Sequence, residues 1–322
     1  MKKTIAFFCC SNGYGHFKRV LEVASYLHND FTIDIFCEKY QYDKFQPDIP
    51  VNFIFYRESN IRWDKTIKSK KVDFQTYKNW IDYYGKNLHQ YDYVVSDNIV
   101  GLLEHRPDTI LMGSFLWKDV YNNKFGSNSI SYYDEELILK HNPTIITNKY
   151  TETDSVKRYK NKLQFGFGCK HKQKITYWDH IKTVVAVHPS LNYLNSYKKT
   201  LDQIKELCKP HWEVTDDLTT TQECVYVCRP GVGMLTHCVE HNIPIIALYD
   251  LTDSNEIITL AKQVETLGIG TSHNTNNQKE LLDGYFVGYK MQRFHNNRIY
   301  NKVDLEKNGY ENTAKYLRNL ML

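Results

Sequence analysis

The sequence predicts an α/β fold in two halves, each a mostly parallel sheet with crossover helices. At 322 residues the chain exceeds one average domain and is long enough for two, each burying its own core. Short β-rich runs alternate along it with amphipathic segments, the pattern of parallel strands joined by helices. One unit, a β-run that ends in a glycine turn and opens a helix, occurs once in each half.

Taken in order, the first half reads as a strand over Thr4 to Cys10 and a helix from about His16 to Leu27. Strands follow near Thr32 to Phe36, Val51 to Tyr56, Tyr93 to Ser96, Thr109 to Gly113 and Thr144 to Thr147. The second half restarts with a strand over Thr183 to Val187 and a helical stretch that reaches Cys208. Strands are then expected at Trp212 to Val214, Cys224 to Cys228 and Ile243 to Leu248. Between the halves, Lys157 to Lys174 is polar and basic and contains Gly166 and Gly168, so it reads as a connection. The expected domains are 1–160 and 175–303. A last helix, about Asp304 to Leu320, carries an apolar stripe at Tyr310, Ala314, Leu317 and Met321 and needs a surface to cover.

Composition excludes several classes. With 42% hydrophobic and 24% charged residues and no low-complexity stretch, nearly the whole chain is expected to fold. The apolar start is cut short by Ser11, Asn12 and Gly13, so it reads as a first strand rather than a secretion signal. No run approaches the roughly 20 apolar residues of a membrane span, and a soluble, cytoplasmic protein is expected. The eight cysteines are scattered through apolar runs, as reduced core residues are. Cys224 and Cys228 lie four apart on one strand face, without the spacing of a zinc site, so no metal is expected. The formal charge of +4 permits a phosphate-bearing ligand and does not demand nucleic acid.

The first glycine turn is Ser11-Asn-Gly-Tyr-Gly-His16, and the helix after it carries Phe17, Val20, Leu21 and Ala24 on one face. Backbone amides at Gly13 and Gly15 can approach an anionic or hydroxyl-rich ligand closely, and the carboxyl ends of parallel strands are where such ligands bind. A tight turn that merely packs accounts for the same residues. The turn is not G-x-G-x-x-G, which disfavours a nicotinamide dehydrogenase. His16 suits a general base on an acceptor hydroxyl, a hydrogen bond to sugar or phosphate, or simply a helix-start packing role.

The second turn is Cys228-Arg-Pro-Gly-Val-Gly233, before a helix with Leu235, Cys238 and Val239 on one side. Gly231, Val232 and Gly233 place amides at a helix N-terminus where a diphosphate fits, and Arg229 offers a charge to neutralise it. After the next strand, Asp250-Leu-Thr-Asp-Ser-Asn-Glu256 opens another helix. Its acidic and amide groups either read sugar hydroxyls or, at Asp253 and Ser254, cap the helix.

Together these segments resemble the MurG-like branch of GT-B glycosyltransferases, and within it the glycosyltransferase-like domain of plant L-arabinokinases and related prokaryotic proteins. The resemblance rests on Gly13-Tyr-Gly-His-Phe-Lys-Arg19, Val94-Val-Ser-Asp97, Ser114-Phe-Leu-Trp-Lys-Asp-Val-Tyr121, Arg229-Pro-Gly-Val-Gly233, Asn242-Ile-Pro-Ile245, Asn255-Glu256, Glu265 and Gly268-Ile-Gly270, in order along the chain. It implies two Rossmann-like domains with parallel sheets facing an interdomain cleft, and a C-terminal helix, 304–322, that crosses back to the first domain. It implies a nucleotide-sugar donor, such as a UDP-sugar, as co-substrate in the second half, an acceptor in the first, and neither metal nor other cofactor.

Carried over by position, Gly13, Tyr14, Gly15 and Trp117 line the cleft, and His16 and Asp97 are the catalytic candidates, Asp97 as base or as orienter of His16. Arg229, Gly231, Val232 and Gly233 hold the diphosphate, and Asn255 and Glu256, with Asp253, face the transferred sugar. Two positions depart from the family: His237 stands where relatives carry a ribose-binding Glu, and His188-Pro-Ser190 where many carry a glycine pair.

The expected activity is metal-independent hexosyl or pentosyl transfer to an acceptor hydroxyl on a glycan, a small molecule or DNA. Three other readings stay open. A phage-type DNA or modified-base glycosyltransferase would use Arg158, Lys160, Lys162, Lys170, Lys172 and Lys174 and the segment from Arg62-Trp63-Asp64-Lys65 to Lys71, where an aromatic among cations could stack on a base, although a solvated surface accounts for both. A nucleotide-sugar hydrolase or 2-epimerase would use the same fold. A non-catalytic nucleotide-sugar-binding protein would keep the site without turnover. The 25 tyrosines suit sugar stacking but equally half-buried packing.

Overall fold

Strand β1 (Thr4–Phe8) is apolar at every position after its first, because a central parallel strand is covered on both faces. It lies between β2 (Thr32–Cys37) and β4 (Tyr93–Asp97), with Ile5 opposite both Ile33 and Tyr93. With β3 (Asn52–Phe55), β5 (Ile110–Met112), β6 (Ile145–Asn148) and β7 (Lys162–Phe165) it builds a seven-stranded parallel sheet, ordered β3-β2-β1-β4-β5-β6-β7. In this computed structural model residues 2–169, 180–187, 195–277, 279, 281 and 304–322 are described. They form two compact units, Met1–Gly168 with Asn308–Leu322, and Cys169–Lys307.

The two-residue period of β1 assigns its faces. Ile5, Phe7 and Cys9 pack with Phe17, Val20, Val23 and Ala24 of helix α1 (Tyr14–Ser25) and with Ala314, Leu317 and Met321 of the C-terminal helix (Gly309–Met321). Ala6, Phe8 and Cys10 point the other way. They meet Tyr77, Trp80 and Ile81 of α4 (Phe74–Gly85) and Trp117, Val120 and Tyr121 of α5 (Trp117–Phe125). The short α2 (Lys39–Phe45), α3 (Trp63–Ser69) and α7 (Asp154–Arg158) and the longer α6 (Ser129–His141) complete the crossovers.

The C-terminal helix is fastened to this unit by polar contacts as well. Lys3 Nζ and Tyr93 OH both donate to the Met321 carbonyl, at 2.6 and 3.0 Å, and Arg318 Nε donates to Asp30 at 2.7 Å. Gly168 admits its start, since a Cβ there would lie 2.3 Å from the Tyr310 ring.

The second unit has a five-stranded parallel sheet, ordered β12-β11-β10-β8-β9. Its strands are β8 (Thr183–Val187), β9 (Glu213–Thr215), β10 (Cys224–Cys228), β11 (Ile245–Tyr249) and β12 (Gly270–Asn274). Val184, Ala186, Val225, Val227, Ile246 and Leu248 pack on Tyr197, Leu201, Ile204 and Cys208 of α8 (Asn195–Cys208). Helices α9 (Val232–His241) and α10 (Asn255–Thr266) follow β10 and β11.

Several sequence expectations change. Lys157 to Lys174, read as a connection, contains the change of unit at Gly168 to Cys169, but its first part holds β7 at the sheet edge; the polarity there is that of an edge strand, with Lys162 and Gln164 both bonded to the buried Glu152. Residues 170–174 lie outside the described residues. Strand β12 was not expected, since Thr271, Ser272 and His273 lack an apolar run. The last helix starts at Gly309, not near Asp304. Trp63, read as an aromatic that could stack on a base, is buried against Trp117, Tyr121 and Phe125, and Arg62 is paired with Glu58 at 2.8 Å.

All eight cysteines are free and buried, and burial pushes the Cys224 thiol up to about 12, so it stays protonated. No helix among the described residues is long and apolar enough to cross a membrane.

Candidate functional site

The order of the first sheet reverses between β1 and β4, and a parallel sheet opens a crevice beyond its strand ends at such a switch point. The turn after β1 and the end of β4 meet there. Gly13 is the N-cap of α1 with φ of 87°, a left-handed value that favours glycine. A Cβ on Gly13 or on Gly15 would point into open space, and no side chain caps the helix. The turn is tied down from outside. Gly13 N–H donates to Tyr40 OH at 3.2 Å, and Tyr40 OH donates to the Ser11 carbonyl at 2.5 Å. Gln41 Nε2 donates to the Cys10 and Gly13 carbonyls at 2.9 and 2.7 Å, and Asn60 Oδ1 accepts from Ser11 N–H at 2.8 Å.

His16, in the first turn of α1, reaches the last residue of β4: its Nδ1 lies 2.8 Å from Asp97 Oδ1. Arg19, one turn further on, forks onto the same carboxylate, Nε to Oδ2 at 3.0 Å and Nη2 to Oδ1 at 2.5 Å. Asp97 is fully buried. Burial alone would raise its carboxyl, but Arg19 and then His16 outweigh that and hold it below the usual carboxylate range. The ionised Asp97 requires a proton on His16 Nδ1, which leaves Nε2 as the lone-pair nitrogen of the neutral ring. With both oxygens engaged and no exposed surface, the Asp97 carboxylate fixes the orientation of the His16 ring.

Phe115 closes the other side of His16, ring centroids 6.0 Å apart. Trp117, expected to line a cleft, instead lies in the core behind Phe115, packed on Trp63 and Tyr121. Tyr14 is exposed and meets Tyr40 and Phe45 edge-on at 5.5 and 6.2 Å, a small aromatic ledge beside the turn.

In the second unit the order reverses between β8 and β10, so the turn after β10 also sits at a switch point. Gly231 caps α9 with an ordinary φ of −101°, and a Cβ there would meet nothing within 4 Å. The first helical amides, from Val232 and Gly233, have no partner within the helix by its geometry and no capping side chain. This is the donor set an anion would use.

Arg229 is arranged differently from its expected role as a diphosphate clamp. Nε and Nη2 donate to Asp253 Oδ2 and Oδ1 at 2.6 and 2.8 Å, which neutralises the guanidinium within the protein. Tyr197 OH donates to Asp253 Oδ2 at 2.7 Å and accepts from Asp250 N–H at 2.9 Å, so the pair links the β10 and β11 turns to α8. Burial would raise the Asp253 carboxyl, but Arg229 and Tyr197 hold it low. Asp253 is therefore committed to Arg229 and does not stand open to a sugar. Asn255 is exposed and Glu256 half-buried in the first turn of α10. His237 sits one turn into α9, its Nε2 3.2 Å from Tyr226 OH and its ring 4.7 Å from His241. His188-Pro-Ser190, Lys170, Lys172 and Lys174 lie outside the described residues.

Arg19 closes the first-turn motif, and nothing in its spacing marks it as the partner of Asp97. Tyr40, Gln41, Asn60 and Phe115 were missed, because nothing local marks residues that reach a turn from distant loops. The one acid and histidine cluster with metal-ligand proximity among the described residues is Asp82, Glu104 and His105, and Lys78 already pairs with both carboxylates there, at 2.5 and 2.8 Å.

No family model matches the chain, and no curated protein does. Solved structures do. MurG of Acinetobacter baumannii superposes with a TM-score of 0.64 at 10% identity, over 98% of this chain and 99% of that one. UGT71G1 of Medicago truncatula, complexed with UDP-glucose, gives 0.64 at 11%, over 100% and 99%. CalG4, the calicheamicin glycosyltransferase, gives 0.61 at 12%, over 99% and 98%. At these identities the likeness shows the fold: two parallel-sheet α/β domains of the kind found in GT-B glycosyltransferases.

Proposed function

We propose that the protein transfers a sugar from a nucleoside-diphosphate sugar to an acceptor hydroxyl. The observation that carries this reading is the buried Asp97 carboxylate fixing His16 through Nδ1 at a glycine turn on a sheet switch point. Such an arrangement supplies a base on Nε2, and the fold shared with nucleotide-sugar enzymes supplies the substrate class. The motif likeness to the L-arabinokinase glycosyltransferase-like domain, through Gly13 to Arg19, belongs to this proposal.

In the proposed step His16 Nε2 takes the proton of the acceptor hydroxyl as its oxygen attacks the anomeric carbon. The bond from that carbon to the phosphate oxygen breaks, and the nucleoside diphosphate leaves with the electron pair. In the second unit taken by itself, the amides of Val232 and Gly233 at the start of α9 are the donors suited to a nucleoside diphosphate. Asn255 and Glu256 face the sugar, and Arg229 and Asp253 hold the two turns in place. A single displacement inverts the anomeric centre. Because amide dipoles meet the diphosphate, transfer is expected to continue in the presence of a chelator. The exposed Tyr14, with Tyr40 and Phe45, provides a stacking surface for a ring-bearing acceptor.

Incubation of the full chain with UDP-, GDP-, CDP- and dTDP-sugars, with and without an acceptor panel, tests the reading. Nucleotide release that acceptors accelerate and that His16→Ala removes supports it. Release of free sugar at a rate no acceptor changes would identify a hydrolase instead.

A further inference from the structure

We infer that Arg19 is a positioning residue for His16: its guanidinium takes over the charge of the Asp97 carboxylate, so that Asp97 orients the imidazole through Nδ1 without drawing a second proton onto Nε2. The catalytic consequence rests on the glycosyl-transfer reading, whereas the electrostatic relation does not.

The geometry is a competition for one oxygen. Asp97 Oδ1 receives both His16 Nδ1, at 2.8 Å, and Arg19 Nη2, at 2.5 Å, and Oδ2 receives Arg19 Nε at 3.0 Å. Arg19 Nη2 also stands 3.2 Å from His16 Nδ1. With the proton on Nδ1 given to Asp97, these two nitrogens are both donors, and their closeness is repulsive once the ring is protonated. In a two-member pair of histidine and buried carboxylate, the unbalanced negative charge favours the imidazolium, which has no lone pair left to accept a proton. Here a permanent cation, whose guanidinium does not titrate in the accessible range, already balances it.

The other groups facing this cluster do not alter the sign. The thiols of Cys9 and Cys10, at the end of β1, lie within electrostatic range of Asp97 and Arg19, and burial pushes both upward, so they stay neutral. From the segment after β5, Phe115 meets the ring, and it carries no charge.

The test reads the imidazole directly. Two-dimensional proton–nitrogen spectra of the full chain, with His16→Gln to assign the signals, report tautomer and protonation across pH 5 to 9. In Arg19→Met the His16 imidazolium is expected to persist to a pH higher by about one unit or more, as removal of an adjacent full charge predicts. In Arg19→Lys, which keeps the charge and loses the fork, the midpoint is expected to stay near that of the parent while the Nδ1 proton resonance moves. A midpoint unchanged in folded Arg19→Met overturns the inference; if that variant does not fold, an Arg19→Lys midpoint raised by about one unit or more does so. Where transfer is detected, the acid limb of kcat/KM should follow the same midpoint. An absence of transfer counts against the proposed function alone, because the spectra still decide the role of Arg19.

Discussion

Arg229 and Asp253 form a two-point ion pair, Nε to Oδ2 at 2.6 Å and Nη2 to Oδ1 at 2.8 Å, between the turn that opens α9 and the turn that opens α10. The guanidinium that the sequence offers to a diphosphate is thus engaged in tying these two turns together. Both side chains are largely buried, Arg229 at 17% and Asp253 at 3% exposure.

Arg229→Ala is therefore expected to act first on stability. It leaves Asp253 buried without its cation, and breaking such a pair costs about 3–5 kcal/mol. The double substitution Arg229→Met with Asp253→Leu should recover much of that loss, since it removes the stranded charge. Nucleotide affinity should remain weakened in both variants, because the turns lose their link. Urea denaturation and calorimetry with UDP and GDP check this; full stability of Arg229→Ala with lost affinity would restore the guanidinium as a direct phosphate ligand.

Asp97→Asn tests the division of labour at the first turn. The amide cannot fix the Nδ1 proton as a carboxylate does, so turnover should fall by about 10²–10⁴-fold, the usual worth of a positioned base. Donor affinity, which the proposal places on residues 231–233 and 255–256, should stay within a factor of about two. Steady-state kinetics paired with nucleotide binding separates the two quantities, and a loss confined to donor affinity would contradict the assignment.

Tyr14→Ala probes the aromatic ledge. Tyr14 is exposed, so its removal should leave the fold intact. A ring contact worth about 1–1.5 kcal/mol corresponds to roughly a tenfold rise in acceptor KM. The expected signature is that rise with kcat at saturating acceptor unchanged; an unaltered acceptor KM would remove Tyr14 from the binding surface.

Both turns were legible in the sequence because each is local: a β-run, a glycine and a helix start lie within ten residues, and the periodicity of Phe17, Val20, Leu21 and Ala24 fixes the buried face of α1. Strand β8 and strand β10 follow their β-rich runs residue for residue. What was not legible depends on tertiary partners. Trp63 stands among polar neighbours and Trp117 follows Phe115 and Leu116 inside a motif, and the packing of one on the other shows that both belong to the core. Arg229 next to a glycine turn looks like a phosphate ligand until Asp253, 24 positions away, is seen to claim it. Strands β7 and β12 lie at sheet edges, where one side needs no apolar cover and the usual signal is diluted.

Asp134 supplies a prediction about stability that is independent of any activity. It lies on α6, almost fully buried, with Oδ1 accepting from Tyr77 OH at 3.3 Å and Oδ2 without a hydrogen-bond partner. Burial pushes its carboxyl up to about 8, against a smaller opposite pull from Tyr77 and Lys118. The folded state therefore holds this proton over a range in which the unfolded chain, near 3.8, has released it. The sign follows: the folded state binds more protons between about pH 4 and pH 8, so this residue's contribution is complete below that window and is lost as pH rises through it. The slope reaches at most about 1.4 kcal/mol per pH unit. Asp134→Asn removes the proton while keeping the shape, so the variant should approach the parent in stability at pH 5 and exceed it at pH 8. Urea midpoints of the two proteins at pH 5, 6.5 and 8 give the comparison, and a constant difference across the three would mean that Asp134 does not titrate in this window.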